Sequence, residues 1–380
     1  MKVEIQRQDK EVLMNAKTVI MDFSGVYKEE NFYEGKDAAW MDFTKMTGVN
    51  CYCTEEAEEE IKERIKNLDF SGIHFLDSGN YHYLSKFWTE KIDRPFLLVV
   101  FDNHTDMQEA SFWGLLSCGS WVRECILSNK YIKEVCVIGP PRTAFLECEK
   151  EILEKVTPIS REDMKQEKSQ WHEFLERNQD VPVYLSLDKD ILSLEVARTN
   201  WDQGDVSFEE IKEWLHELFS QCFVLGADVC GEHTPDTTSL SYQEDIEKNN
   251  AINKKIWELL EKKLTEQEER QLDKVFSETK QADKKLSIAL MRYFDLEKED
   301  KRKRLYGEYL KLRFRPAVEL LIKKKENKKL TELIKEQEAD ENLLNSFLKT
   351  AVQYGNQEAQ IFLLQEKEAL GGFQEKSWEL

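Results

Sequence analysis

The apolar run Phe96–Phe101 ends directly in Asp102-Asn103-His104-Thr105-Asp106. In an extended chain, period-two spacing puts Asp102, His104 and Asp106 on one side, so three metal-ligand types face one point. Residues 183–187 run in the same way into Asp188-Lys189-Asp190, adding two carboxylates at the same spacing. Residues 72–76 lead into a polar turn, Asp77-Ser-Gly-Asn-Tyr-His82, that carries a single His. The chain has six His, and two of them fall at these strand ends. Four Asp and two His make an oxygen-rich donor set suited to hard divalent ions such as Mn²⁺, whereas Cys-rich coordination would indicate zinc. The competing reading makes these Asp residues turn formers and His82 and His104 satisfied surface groups. Three such clusters at three strand ends weigh against coincidence.

The elements that must position these residues are legible as alternating short apolar runs and amphipathic stretches. Strands are predicted at residues 18–23, 72–76, 96–101, 135–138, 183–187 and 222–227, and their near-continuous apolar character suits a parallel sheet buried on both faces. Helices are predicted at residues 55–68, 112–128, 161–177 and 208–219. The last opens with Ser207-Phe-Glu-Glu210, a capping box. Crossovers too long for hairpins point to an α/β fold with a doubly wound, mostly parallel sheet, in which ligands bind beyond the carboxyl ends of strands.

Beyond residue 240 the texture changes. Ile252, Ile256, Leu259 and Leu260 recur at helical spacing, similar stripes cover residues 330–334 and 343–352, and no strand signal appears. Residues 313–334 and 342–367 read as helix-turn-helix units of about 30 residues, weakly similar to ankyrin-type arrays. The organisation expected is a metal-binding α/β domain at 1–240 and an all-α helical module at 241–380, with the boundary around residues 241–247. The basic cluster at 323–329 reads as a solvated helix face.

Composition narrows the partners. Of 74 acids and 54 bases, residues 1–240 hold 46 and 26, which leaves 28 and 28 beyond, so the net charge of −20 lies wholly in the first part. Such a field repels phosphate and argues against nucleic acid, while favouring cationic small molecules or metals. The N-terminus has no apolar leader-like core, and the longest apolar run, Phe96–Phe101, is far below the ~20 residues a membrane span needs. The eight Cys are scattered through apolar contexts, and Cys51-Tyr-Cys53 lacks the spacer of a zinc or redox pair. A soluble protein of a reducing cytoplasm is expected.

With SGNYH, DNHTD and SLDKD in this order, residues 18–240 closely resemble the arginase and agmatinase, or ureohydrolase, family, which carries a His in a glycine-containing turn, then Asp-x-His-x-Asp, then Ser-x-Asp-x-Asp. The resemblance implies two Mn²⁺ per chain. One would be held by His82, Asp102, Asp106 and Asp188, the other by His104, Asp102, Asp188 and Asp190. It further implies that Glu232, in the late segment Gly226-Ala-Asp228-Val-Cys-Gly-Glu232-His-Thr-Pro235, grips a substrate guanidinium, a planar cation that a carboxylate can bind with two parallel hydrogen bonds. Here the Asp-to-Glu interval is one residue longer than in the family pattern. The implied reaction is hydrolysis of a guanidino carbon with release of urea, the substrate being a small guanidino compound or an arginine side chain in a peptide. Water would be activated between the two ions, and Asp106 would pass its proton to the leaving amine.

The departures are specific. The usual Gly-Gly-Asp before the first His reads Asp77-Ser-Gly-Asn80, and the Asp-Pro after the second Asp pair is missing. The position of the family's proton-shuttling His reads Ser117-Cys118-Gly-Ser120. Two other readings stay open: a metal-dependent deacetylase or amidohydrolase of the same fold, and a non-catalytic protein that works through its helical tail. Oligomeric state, and a partner or self-association through 241–380, are open as well.

Overall fold

The apolar runs become the strands of one large sheet. A computed structural model of the chain describes residues 17–110, 114–166, 168–235, 241–337 and 339–370. The N-terminal stretch read above for a leader, Phe112 and Trp113 of the expected second helix, and residue 167 of the third lie outside the described residues. The strands are β1 (Thr18–Asp22), β2 (Ala39–Asp42), β3 (Tyr52–Cys53), β4 (Ile73–Phe75), β5 (Phe96–Phe101), β6 (Leu116–Ser117), β7 (Ile132–Ile138), β8 (Val156–Ile159), β9 (Val183–Asp188) and β10 (Val224–Cys230). Eight form a sheet in the order β2-β1-β4-β10-β9-β5-β7-β8. Every neighbouring pair in it is parallel. Strands β3 and β6 make a small separate antiparallel pair.

Strand β5 shows how the sheet divides the core. Leu97, Val99 and Phe101 join the hydrophobic layer of Trp171, Trp214 and Phe219. Phe96, Leu98 and Val100 join the layer of Ile61, Trp88 and Trp121 on the other face. Both layers are apolar, so the run is unbroken rather than alternating. The strands at the two edges, β2 and β8, were not expected from the sequence. β8 contains Pro158, which an edge strand tolerates because one side of its backbone needs no ladder partner.

The helices on these faces follow their caps. Helix Phe208–Gln221 starts at the expected capping box, with Glu210 N donating to Ser207 Oγ (3.2 Å) and Ser207 N to Glu210 Oε2 (2.9 Å). The stretch expected as one helix over 161–177 is two, Arg161–Met164 and Ser169–Arg177. The helix expected from 112 begins only at Trp121, because β6 occupies part of the segment before it. No described helix is long and apolar enough to cross a membrane.

The boundary expected at 240 moves. A helix runs over Tyr242–Glu278, and the chain divides into two compact units between Gln267 and Glu268, inside it. The earlier part of the helix belongs to the sheet unit: Ile246, Ile252, Ile256, Trp257 and Leu260 are buried in the core shared with β4 and β9. Trp257 lies against Phe32 and Phe75, with ring centroids 5.8 and 5.5 Å away. The stripe that suggests a detached module in the sequence is the side of a helix that completes the sheet domain.

The second unit is all helical among its described residues and has its own core, which includes Tyr306, Leu321, Leu333, Phe347 and Leu363. Helices Phe314–Lys324 and Asn327–Gln337 form one pair, and Glu341–Gln353 and Gln357–Ala369 another. Gly355, with a positive φ of 60°, makes the turn of the second pair, and Asn356 ties it to the first by donating to Ile322 O (3.0 Å) and Asn327 Oδ1 (2.8 Å).

Truncating the buried Trp257 side chain removes a large aromatic from a closed core. Trp257→Ala should therefore cost ~3–5 kcal/mol, read from urea unfolding. A chain ending at residue 267 should unfold cooperatively, whereas one ending at 240 exposes the face under this helix and should not. Equal cooperativity of the two would show that the helix is dispensable to the sheet domain.

Candidate metal centre

The expected site residues come from the carboxyl ends of β4, β9 and β5, in the middle of the parallel sheet. Asp102, His104 and Asp106 follow β5, Asp188 ends β9 beside it, and Asp190 lies in the short helical turn Lys189–Ile191 that continues β9. His82 is delivered by the turn after β4. That turn is held by Asp77, whose buried carboxylate accepts hydrogen bonds from Phe23 N, Ser24 N, Ser24 Oγ and Ser78 N at 2.7–2.8 Å. Asp77 has a positive φ of 74°, which Asp tolerates better than most side chains.

All six side chains converge. His82 Nδ1 lies 3.2 Å from Asp102 Oδ2, 3.1 Å from Asp106 Oδ2 and 3.4 Å from Asp188 Oδ2. His104 Nδ1 lies 2.8 Å from Asp190 Oδ2 and 3.5 Å from Asp102 Oδ1. The ligand atoms form two groups that could each hold a metal ion, His82-Asp102-Asp106 and Asp102-His104-Asp190, and Asp102 belongs to both. They line a cavity of about 410 Å³.

Hydrogen bonds from behind fix the ligands. Ser186 Oγ donates to Asp228 Oδ1 (2.6 Å) and lies 2.9 Å from His82 Nε2, so it accepts the Nε2 proton. The Nδ1 lone pair of His82 then points at carboxylate oxygens, an arrangement of acceptors only that a cation satisfies. Trp121 Nε1 donates to Asp106 Oδ2 (2.7 Å), and Asp106 holds a left-handed φ of 50°. Asn103 N donates to Asp190 Oδ1 and Asp190 N to Asp188 Oδ1, both at 2.9 Å.

The electrostatics suit a cation. Burial, then the nearby charges of Asp190 and Asp102, push the Asp188 carboxyl well above the usual range, and burial with Asp102 pushes Asp190 to about 6. Burial alone would pull the imidazoles down, yet their carboxylate neighbours raise His82 well above its ordinary value and His104 to about 12. Asp102 Oδ2 is buried without a hydrogen-bond donor. Buried carboxylates in this number are stable as anions only around a cation.

The sequence profile of the arginase family matches residues 18–239, more than half of the chain. A Thermotoga maritima protein described as uncharacterized is 34% identical over 231 residues, which cover 61% of this chain and 85% of that one. The chain belongs to the arginase family. Solved structures resemble it more distantly. The proclavaminate amidino hydrolase of Streptomyces clavuligerus is 14% identical, with 65% of this chain and 92% of that chain covered and a TM-score of 0.47. The Entamoeba histolytica arginase, solved with L-ornithine, is 15% identical, with 63% and 99% covered and a TM-score of 0.46.

One expectation drawn from the family pattern meets a different geometry. Glu232 is not brought to the cavity. Strand β10 ends at Cys230, Gly231 turns with a φ of 93°, and the Glu232 side chain is wholly buried against Lys189 and Asn253. The extra residue between Asp228 and Glu232 is thus accommodated by a turn that a Cβ would spoil, since at Gly231 it would lie 2.3 Å from Asp188 Oδ1. Cys118 does line the cavity, but burial and the charge of Asp106 push its thiol far above its ordinary value, which makes it a poorer proton shuttle than an ordinary thiol.

Sequence reasoning missed Ser186, Asp228 and Trp121 as supports. The signal for the first was present, since a Ser two residues before Asp188 shares its side of the strand. Removing an outer hydrogen-bond partner of a metal-binding His typically lowers affinity by ~10–100-fold. Ser186→Ala should do so for the ion on His82, measured by calorimetric titration with Mn²⁺. Unchanged affinity would show that the Asp228–Ser186–His82 relay has no part in ion binding.

Proposed function

We propose that this arginase-family chain is a binuclear Mn²⁺-dependent hydrolase of a guanidino C–N bond and releases urea. The observation that carries the reading is Asp102, whose two oxygens serve two separate His-containing ligand groups. His82, Asp102, Asp106 and Asp188 would hold one ion; His104, Asp102, Asp188 and Asp190 would hold the other. Bound together, two such ions supply Lewis acidity and an activated water at neutral pH.

The chain's own residues provide orientation and proton transfer. Trp121 fixes one oxygen of Asp106, so the other is the one free to take a proton from the attacking water and return it to the leaving amine. The cavity suits a cationic substrate: among the described residues that line it there are Glu147 and Asp202 but no Lys or Arg. Trp201 stands at the mouth, its ring centroid 5.9 Å from that of His104 and its Nε1 donating to Asn80 Oδ1 (3.0 Å). A flat guanidinium can lie against such an aromatic face. Glu232 has no place in this binding step.

Elemental analysis after dialysis against Mn²⁺ should give two ions per chain. Asp102→Ala should empty both sites and Asp190→Ala should spare one. A single tightly held zinc would contradict the reading. Urea release should appear on a panel of agmatine, arginine and a short arginine peptide, and should vanish in Asp102→Ala. Cys118→His supplies the missing imidazole and should raise turnover or shift its pH profile, since a general acid or base typically contributes ~10²–10⁴-fold. A large loss in Cys118→Ala at unchanged metal content would instead make this thiol a catalytic residue.

A further inference from the structure

Lys189 lies between two candidate ligands, Asp188 and Asp190, and its side chain leaves the cavity side of the turn. Its ammonium group is completely buried, paired with Glu232 and donating to Asn253 Oδ1 (2.8 Å). Asn253 Nδ2 donates in turn to Glu232 Oε1 (2.7 Å) and to Glu30 Oε2 (2.8 Å). The backbone that carries this carboxylate is fixed independently, because Gly231 N and Glu232 N both donate to Asp77 O, at 3.0 and 3.1 Å. The segment that follows β10 and the helix Tyr242–Glu278 meet at one ammonium, and the segment around Glu30 joins them through Asn253.

Stability does not require this charge. Desolvating an ion pair costs about as much as the pair returns, and an apolar residue of similar volume serves a buried position as well or better. The attested use of such a pair is to fix one arrangement among several. What Lys189 fixes is the turn Lys189–Ile191, in which Asp188 Oδ1 accepts from Asp190 N (2.9 Å) and Asp190 Oδ2 faces His104 (2.8 Å).

We propose that Lys189 is a positioning residue: its tether to Glu232 and Asn253 sets where Asp188 and Asp190 present their oxygens, and so sets the affinity of the ion shared with His104. The proposal rests on the two-ion reading given above. It assigns Glu232 to an internal cation in place of the substrate's guanidinium.

The test is calorimetric titration of the full chain with Mn²⁺, alongside thermal unfolding. Lys189→Met alone leaves Glu232 charged and unpaired and can fail to fold, so the deciding variant is Lys189→Met with Glu232→Gln, which removes both charges. It should stay folded and lose at least about tenfold in the affinity of the ion on His104 and Asp190, the size expected for loss of an outer support, with a smaller loss at the other ion, which shares only Asp188 with this turn. Asn249→Ala is the structural control: it cuts two bonds between the same helix and Arg198 (2.7 and 2.8 Å) and should lower the melting temperature with both ions held normally. Two ions bound by the double variant with unchanged affinities would overturn the proposal, as would an equal loss of affinity in Asn249→Ala, which would reduce the effect to general softening. An unmodified chain that takes up no Mn²⁺ would overturn the two-ion reading first, and this proposal with it.

Discussion

Crowded carboxylates set the terms for this protein. Asp102, Asp106, Asp188 and Asp190 are all buried within reach of two imidazoles. Like charges at such separations repel strongly in a medium that screens poorly, and the repulsion is relieved only by protons or by cations. The surrounding architecture is arranged to keep the oxygens pointing inward. Asp77 holds the turn that delivers His82, Trp121 holds Asp106, and backbone N–H groups of Asn103 and Asp190 hold Asp190 and Asp188. A parallel sheet suits the task, because strands β5 and β9 are neighbours and end at the same edge.

The same constraint explains what can be read from the sequence. Asp102, His104, Asp106, Asp188 and Asp190 are legible because they cluster directly at the ends of unbroken apolar runs, although the chain beyond the strands is not extended: Asp190 lies in a helical turn and Asp106 has a φ of 50°. The interior strands are legible for the same reason. Strands β2 and β8 are not: Ala39–Asp42 is only four residues long, with just two of them buried, and Val156–Ile159 contains Pro158, as edge positions permit. The end of the sheet domain is misplaced because an amphipathic stripe such as Ile252, Ile256 and Leu260 says that a helix is buried on one side, but not against what.

Glu232 shows where pattern and physics part. Matched to a family segment, it reads as a grip for a substrate cation. Within the fold it already has a cation, the Lys189 ammonium, and Gly231 turns it away from the cavity. The clue lay in Asp188-Lys189-Asp190 itself, since a lysine set between two cavity-facing carboxylates and turned away from them needs a buried anion. With Glu232 so engaged, substrate selection falls to the cavity's remaining walls, where acidic and aromatic side chains outnumber cations among the described residues.

Two ions held by the six side chains through a shared carboxylate would lie close enough for their unpaired electrons to couple. Electron paramagnetic resonance of the Mn²⁺-loaded protein reads that coupling directly. The account predicts the broadened multiline spectrum of an exchange-coupled Mn²⁺ pair, already present at less than full loading if the ions bind together. A spectrum of isolated, uncoupled Mn²⁺ at full loading would contradict it.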